Sequence, residues 1–138
     1  MNSDIIGDTP DIWGAHYSTD SSTVQRDYDT FAESGTYDET FDDWGYVGPE
    51  TAAAILRNYV PTAHRVLDAA CGSGLTGSAM KALGFTRIDG IDISPRLLEI
   101  AERTGAYDRL ARVDMQQYPF PIADGEYDAV MFIGALTY

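Results

Sequence analysis

RVLDAACGSGLTG, residues 65–77, carries the strongest structural signal in the sequence. Its first six residues form a short apolar run that predicts a strand, and the residues after Gly74 have the apolar spacing of a helix. Gly72, Gly74 and Gly77 follow the G-x-G-x-x-G spacing of a dinucleotide-binding turn. Glycines in such a turn let the backbone approach a ligand closely, and the start of the helix favours negative charge. The stretch therefore predicts a ligand site at the carboxyl end of the first strand.

Strands and helices alternate through the rest of the chain. Residues 87–93 predict a second strand, Ser94 and Pro95 the N-cap and first turn of a helix, and residues 107–113 a third strand. Residues 127–134 predict a fourth strand, which is apolar throughout and is therefore expected to be buried on both faces. This alternation predicts an α/β fold with a Rossmann-like, doubly wound parallel sheet.

The residues before this core divide into two regions. Residues 1–20 mix Gly, Pro, Asp and Ser without periodicity and predict a loose acidic arm. Residues 21–60 predict a helical and aromatic cap region, and residues 61–138 the ligand-binding core.

Two helices are expected within the cap region. The first has Ser22 or Thr23 as its N-cap and stops at Gly35. The second opens at Pro49 and runs to about Tyr59, with an acidic, aromatic loop between the two.

Composition predicts one globular, cytoplasmic domain. The chain has 138 residues, of which 44% are hydrophobic, and contains no apolar run long enough to span a membrane. The N-terminus lacks the basic start and apolar core of a signal peptide, and Cys71 is the one cysteine.

The net charge of −13 argues against nucleic acid and anionic membrane as partners, because phosphate binding requires Lys and Arg. The first 50 residues hold 12 acidic residues and one Arg, so most of the negative charge lies there. This acidic half is interpreted as a solvated surface, with a face that attracts a cationic ligand as the alternative.

Two acidic residues narrow the choice of ligand. Asp92 ends the second predicted strand, 20 residues after Gly72, where a carboxylate suits the two hydroxyls of a ribose. This position fits NAD and other adenosine ligands equally. Asp68 lies just before the glycine turn, where it would repel a pyrophosphate and attract a positive centre. Charge therefore favours S-adenosylmethionine over NAD, and the alternative for Asp68 is that it caps the amides of the turn.

Four runs of the chain together resemble class I S-adenosylmethionine-dependent methyltransferases, and among them the methyltransferase-like family of the Williams–Beuren syndrome region. The runs are RVLDAACGSGLTG, GIDISPRLLEIA, YDRLARVDMQQYPFP and YDAVMFIGALTY, and the resemblance covers roughly residues 24–138. It implies the N-terminal half of that fold, with strand order 3-2-1-4, because the chain stops just after the fourth strand. It further implies a methyltransferase acting on a small-molecule acceptor and seen as a truncated chain, with S-adenosylhomocysteine as product. The alternatives are a non-catalytic cofactor-binding module that needs a partner and a fragment of an NAD-dependent oxidoreductase.

The resemblance also implies which residues hold the cofactor. Asp92 would accept from the ribose hydroxyls, Asp114 from the adenine amino group, and Tyr28 and Tyr37 would cover the cofactor. The implied set is Tyr28, Tyr37, Asp68, Ala70, Gly72, Gly74, Asp92, Ile93, Asp114, Met115, Ile133 and Gly134. Ordinary core packing is the alternative for three of them, Tyr28, Ile93 and Met115. No catalytic residue and no metal ligand is assigned.

The fourth strand carries one more expectation. In the order 3-2-1-4 it lies at the edge of the sheet, and its residues 129–133 include no charge or proline that would protect it. We therefore expect it to pair with another copy of the chain or with a completing fragment, or else to cause aggregation.

Overall fold

The structure, a computed structural model, describes residues 20–37, 39, 43 and 45–135. Within these residues, four helices and four strands position the site. The helices are α1 (Ser21–Glu33), α2 (Gly48–Tyr59), α3 (Leu75–Ala82) and α4 (Pro95–Arg103). The strands are β1 (Arg65–Ala69), β2 (Arg87–Asp92), β3 (Arg109–Arg112) and β4 (Ala129–Met131). The predicted arm, residues 1–20, lies outside the described residues except for Asp20.

All strand pairs are parallel, and the order β3-β2-β1-β4 confirms the prediction. One face of the sheet is covered by helices. There Ala53 of α2 and Met80 of α3 pack against Val66 and Ile88 of the two central strands. The other face carries Leu67, Ala69 and Ile91, which pack against Val113, Ile122 and Tyr127 from the segments around β3 and before β4.

The expectation of a fourth strand buried on both faces is wrong. Met131 joins the helix-covered core at 7% exposure, but its neighbour Val130 is 60% exposed. Val130 pairs in register with Leu67 and so shares the face that no described helix covers. The strand is also shorter than predicted, as is the third. Apolar composition identified the strand but not how much of it would be covered.

The start of α1 also differs from the prediction. Asp20, and not Ser22 or Thr23, is the N-cap, since its carboxylate accepts from the Thr23 amide at 2.9 Å and from the Ser22 and Thr23 hydroxyls at 2.6 and 2.8 Å. A carboxylate can accept several hydrogen bonds at once, so it satisfies the helix start and both hydroxyls together. By contrast, Ser94 caps α4 as predicted, accepting from the Leu97 amide at 3.1 Å.

A buried carboxylate ties three strands together on the loop-covered face. Asp89 of β2 is 2% exposed. Its Oδ2 accepts from Arg109 Nη2 at 2.7 Å and from the Tyr127 hydroxyl at 2.8 Å, and it lies 3.5 Å from Arg65 Nε. These partners lower the pKa of Asp89 against the opposing effect of its burial. Since Arg65 and Arg109 are the first residues of β1 and β3, the cluster lies toward the amino ends of the strands.

Within the described part of the chain, no helix has the length and apolar character needed to cross a membrane.

Candidate cofactor site

A cavity of about 330 Å³ lies at the carboxyl ends of the strands, where ligands bind in open α/β sheets. Ten of the twelve residues predicted from the sequence line it: Tyr28, Tyr37, Ala70, Gly72, Asp92, Ile93, Asp114, Met115, Ile133 and Gly134. The other two, Asp68 and Gly74, lie outside the lining. Residues that the sequence reasoning did not select also contribute, among them Val24, Ser73, Thr76, Gln116 and Phe132.

Unusual backbone conformations and a hydrogen bond from Gly72 to Asp92 fix the shape of the glycine turn. Ala70 and Gly72 have positive φ values of 55° and 54°, a conformation that is rare outside glycine. The Cys71 amide donates to the Ile91 carbonyl at 3.0 Å, which joins the turn to the end of β2. A Cβ on Gly72 would lie 3.1 Å from the Tyr37 hydroxyl, so this glycine admits the tyrosine at the cavity wall.

Asp92 is the central carboxylate of the cavity. Its Oδ2 accepts from the Gly72 amide and its Oδ1 from the Ser94 amide, both at 2.9 Å. Burial raises the pKa of Asp92, and the two backbone hydrogen bonds partly oppose that rise. Each carboxylate oxygen keeps a further lone pair, so Asp92 can still accept from a ligand hydroxyl.

Ser73 is a site residue that sequence reasoning missed. It is 3% exposed and lines the cavity, and its hydroxyl has no hydrogen-bond partner among the described residues. A buried, unpaired hydroxyl is unfavourable unless something binds it. Its position between Gly72 and Gly74 gave no signal, because the turn pattern leaves that position free.

Asp68 lies beneath the turn and not in the cavity. It is 1% exposed, and its Oδ2 accepts from the Tyr107 hydroxyl at 2.7 Å. Burial raises the pKa of Asp68 to about 7, while hydrogen bonds from Tyr107 and from the Gly77 amide act in the opposite direction. The contact with Gly77 agrees with the alternative interpretation, in which Asp68 caps an amide near the turn.

Gly74 and Gly77 also face Tyr107. A Cβ on Gly74 would lie 3.1 Å from the Tyr107 ring, and one on Gly77 only 2.2 Å from its Cζ. Of the three glycines in the motif, Gly72 therefore borders the cavity, whereas the other two make room for an aromatic ring below it. Close packing of a helix on the sheet is one recognised use of the third glycine.

The wall of the cavity away from the sheet comes partly from α1, which is fastened to the start of α4. Asp29 Oδ1 accepts from the Ser94 hydroxyl at 2.5 Å and from the Arg96 amide at 3.3 Å. Glu33 Oε1 lies 3.2 Å from Arg96 Nε. Ser94 therefore links three parts of the site, since its hydroxyl caps α4 and donates to Asp29 of α1 while its backbone amide donates to Asp92.

The charge of the cavity selects against anionic ligands. Among the described lining residues the ionisable carboxylates are Asp92 and Asp114, and no Lys, Arg or His is present. Asp114 Oδ1 accepts from the backbone amide of Gln116 at 2.9 Å, which fixes the carboxylate at the rim of the cavity. Such a cavity suits a ligand with hydroxyl and amino groups and a positive centre better than a pyrophosphate.

The fold and the cavity together define a Rossmann-like domain that binds an adenosine-type cofactor. A family model described as methyltransferase domain matches residues 66–138. Methyltransferase-like protein 27 of Homo sapiens is 35% identical over 129 residues, which cover 91% of this chain and 52% of that protein. The chain therefore belongs to the class I S-adenosylmethionine-dependent methyltransferases, and it spans about half the length of this relative.

Two solved structures support the same fold. A TehB-like methyltransferase from Corynebacterium glutamicum superposes with a TM-score of 0.57 at 22% identity, covering 72% of this chain and 53% of the other. The sugar N-methyltransferase KedS8 from a Streptoalloteichus species gives a TM-score of 0.51 at 26% identity, covering 68% of this chain and 38% of the other. In each case this chain corresponds to only part of the larger protein.

Proposed function

We propose that this protein binds S-adenosylmethionine in the cavity at the carboxyl ends of β1, β2 and β4 and transfers its methyl group to a small-molecule acceptor. The observation that carries the proposal is a cavity whose charged lining residues, in the described part of the chain, are carboxylates, and whose Ser73 hydroxyl has no hydrogen-bond partner there. In this arrangement residues 61–138 form the cofactor-binding core and residues 21–60 cover it.

The carboxylates, Ser73 and two tyrosines of the cavity then have the following roles. Asp92 accepts from the ribose hydroxyls through lone pairs that its backbone partners leave unused. Asp114, held by the Gln116 amide, accepts from the adenine amino group. Ser73 donates or accepts at the methionyl end, and Tyr28 and Tyr37 cover the ligand from the side of α1.

The residues of the chain contribute position and exclusion of water more than chemistry. The bound cofactor supplies an activated methyl group on a sulfonium, so no protein nucleophile is required. Burial and the nearby carboxylates of Asp68 and Asp92 raise the pKa of Cys71, so its thiol stays protonated and unreactive. No described lining residue is assigned as a general base, which only an acceptor that must lose a proton would require.

The choice of a small-molecule acceptor is supported by charge. The chain has a net charge of −13, which disfavours nucleic acid. A cytoplasmic location is part of this proposal, as is the pairing of β4 with a second copy of the chain. A non-catalytic module that needs a partner is the second candidate, favoured by the 60% exposure of Val130 on the edge strand.

Calorimetric titration with S-adenosylmethionine, S-adenosylhomocysteine and NADH tests the binding part of this proposal. The two S-adenosyl ligands should bind and NADH should not. Asp92→Ala should weaken binding by about 1.5–3 kcal/mol, or about 10- to 150-fold, because the ribose loses its acceptor and Gly72 its anchor. Asp124→Ala removes an exposed carboxylate outside the cavity and serves as the matched control. Binding of NADH alone would overturn the assignment.

A methylation assay separates the two candidates. Transfer of a labelled methyl group to a small molecule by the full chain supports the enzyme. Cofactor binding without transfer to any member of a broad panel of amines, alcohols and sugars supports the non-catalytic module.

A further inference from the structure

Tyr107 occupies a position that the proposed function leaves unexplained. It lies between α4 and β3, outside the cavity lining, and 39 residues along the chain from Asp68, to which its hydroxyl donates at 2.7 Å. Tyrosine hydroxyls in such places are normally hydrogen-bonded, but a buried carboxylate is a costly partner to maintain.

The space for the ring is provided by three glycines on three different elements. A Cβ added to Gly77 would lie 2.2 Å from the nearest atom of the Tyr107 ring, one added to Gly90 2.9 Å, and one added to Gly74 3.1 Å. These glycines belong to α3, β2 and the turn. The ring thus fixes the distance between the glycine turn and the end of β2, and both segments border the cavity.

The surroundings of Asp68 make its charge depend on this tyrosine. Besides burial, the titratable groups that shift the pKa of Asp68 are Tyr107 and Asp92, and Asp68 itself raises the pKa of the nearby Cys71 thiol. Its partners in register on the neighbouring strands are Gly90 and Met131, which carry no charge. Among the described residues around Asp68, the Tyr107 hydroxyl is therefore the side-chain donor that favours the ionised form.

We propose that Tyr107 is a positioning residue for the cofactor, which holds Asp68 and the glycine turn from beneath the cavity and keeps Asp68 ionised when the cofactor binds. This proposal rests on the proposed function. An ionised Asp68 adds negative charge under a cavity that takes a cationic ligand, and the Tyr107 ring holds the turn in the shape that the ligand meets. Tyr107 and Asp68 act through the turn and through charge, without touching the ligand.

The proposal is tested by Tyr107→Phe, which keeps the ring and removes the hydroxyl. Binding of S-adenosylhomocysteine, which carries an ammonium group, is measured by calorimetry with the full chain from about pH 5.5 to about pH 8.5. In the wild type, affinity should rise through a midpoint near 7, the pKa of the buried carboxyl of Asp68. Loss of the donor should move the midpoint upward by about one pH unit, which makes binding about fivefold weaker at pH 7 and less than twofold weaker at about pH 8.5.

Tyr127→Phe is the matched control. The Tyr127 hydroxyl also donates to a buried carboxylate, that of Asp89, at 2.8 Å, but it does not line the cavity. This variant should leave the midpoint unchanged even if it lowers stability. Asp68→Asn is a second test that leaves the ring in place, and its affinity should not change with pH in this range.

The possible outcomes separate the two proposals. Failure of the wild type to bind S-adenosylhomocysteine would overturn the proposed function. If the wild type binds, three results would overturn the role of Tyr107 alone. The first is an unchanged midpoint in Tyr107→Phe, and the second is a loss of affinity in that variant that is equal at every pH. The third is an affinity of Asp68→Asn that changes with pH as in the wild type.

Discussion

Gly77→Ala is expected to destabilise the protein although it improves the local helix. Gly77 lies inside α3, where alanine is favoured over glycine by about 1 kcal/mol. However, the new Cβ would lie 2.2 Å from Cζ, 2.3 Å from the hydroxyl oxygen and 2.7 Å from Cε1 of Tyr107. Contacts this short do not occur in folded proteins, so the ring has to move away from α3.

The cost follows from what that movement breaks. Overpacking of a core costs about 1–3 kcal/mol, and loss of the hydrogen bond from Tyr107 to the buried carboxylate of Asp68 costs about 1.5–3 kcal/mol. After the gain in helix propensity is subtracted, the free energy of unfolding should fall by about 1.5–5 kcal/mol. This decrease is a large share of the unfolding free energy of roughly 5–15 kcal/mol that is typical of a domain, so the variant should unfold at a clearly lower urea concentration.

A double-mutant cycle with Tyr107→Leu tests the cause. In the leucine background the collision is absent, so Gly77→Ala should be neutral or stabilising, with a coupling of more than about 1.5 kcal/mol between the two sites. The reasoning is refuted if Gly77→Ala is as stable as the wild type, or if it costs the same in both backgrounds.

Three further changes test other parts of the structure. Burial raises the pKa of Asp68 to about 7, so its contribution to stability is full below the unfolded pKa of about 4 and is lost as the pH rises to about 7. In urea titrations at several pH values, Asp68→Asn should flatten this decline in the free energy of unfolding, and an unchanged decline would contradict the reasoning. Ser94→Ala removes the cap on the Leu97 amide and the donor to Asp29, so calorimetry should show a free energy of unfolding lower by about 1–2 kcal/mol. An unchanged melting temperature would show that neither contact contributes to stability. Val130→Lys places a charge on the exposed face of β4 and should reduce self-association measured by light scattering, while lowering the free energy of unfolding by no more than about 0.5 kcal/mol. Equal self-association of variant and wild type would show that β4 is not the contact.

The sequence was most informative where the signal is local. The apolar run before the glycines, Asp92 at the end of the second strand and Ser94 as a helix cap all follow from spacing along the chain, and the structure contains each in the expected element. Local rules succeed here because a strand, a turn and a cap are each formed by residues close together in sequence.

Long-range contacts were not predictable in the same way. Tyr107 meets Asp68 across 39 residues, and nothing near Tyr107 in the sequence indicates a partner. Asp68 itself was expected to face the ligand, but it lies beneath the turn on the same face of β1 as Val66, because side chains alternate along a strand. Asp20, Ser22 and Thr23 were all chemically suitable caps, and only the geometry of the chain distinguishes the carboxylate.

The attachment of α1 has a consequence for how fast a ligand enters and leaves. Of the thirteen residues of this helix, Ala32 is the buried one, and its polar contacts with the rest of the protein include those of Asp29 with Ser94, Glu33 with Arg96, Gln25 with Arg112 and Ser21 with Gln116. Polar and ionic contacts near the surface contribute about 0–1 kcal/mol each and weaken as salt is added. Detaching α1 therefore costs much less than unfolding the sheet, and ligand exchange can proceed through this local opening. The dissociation rate should therefore increase with ionic strength, while the sheet beneath remains folded.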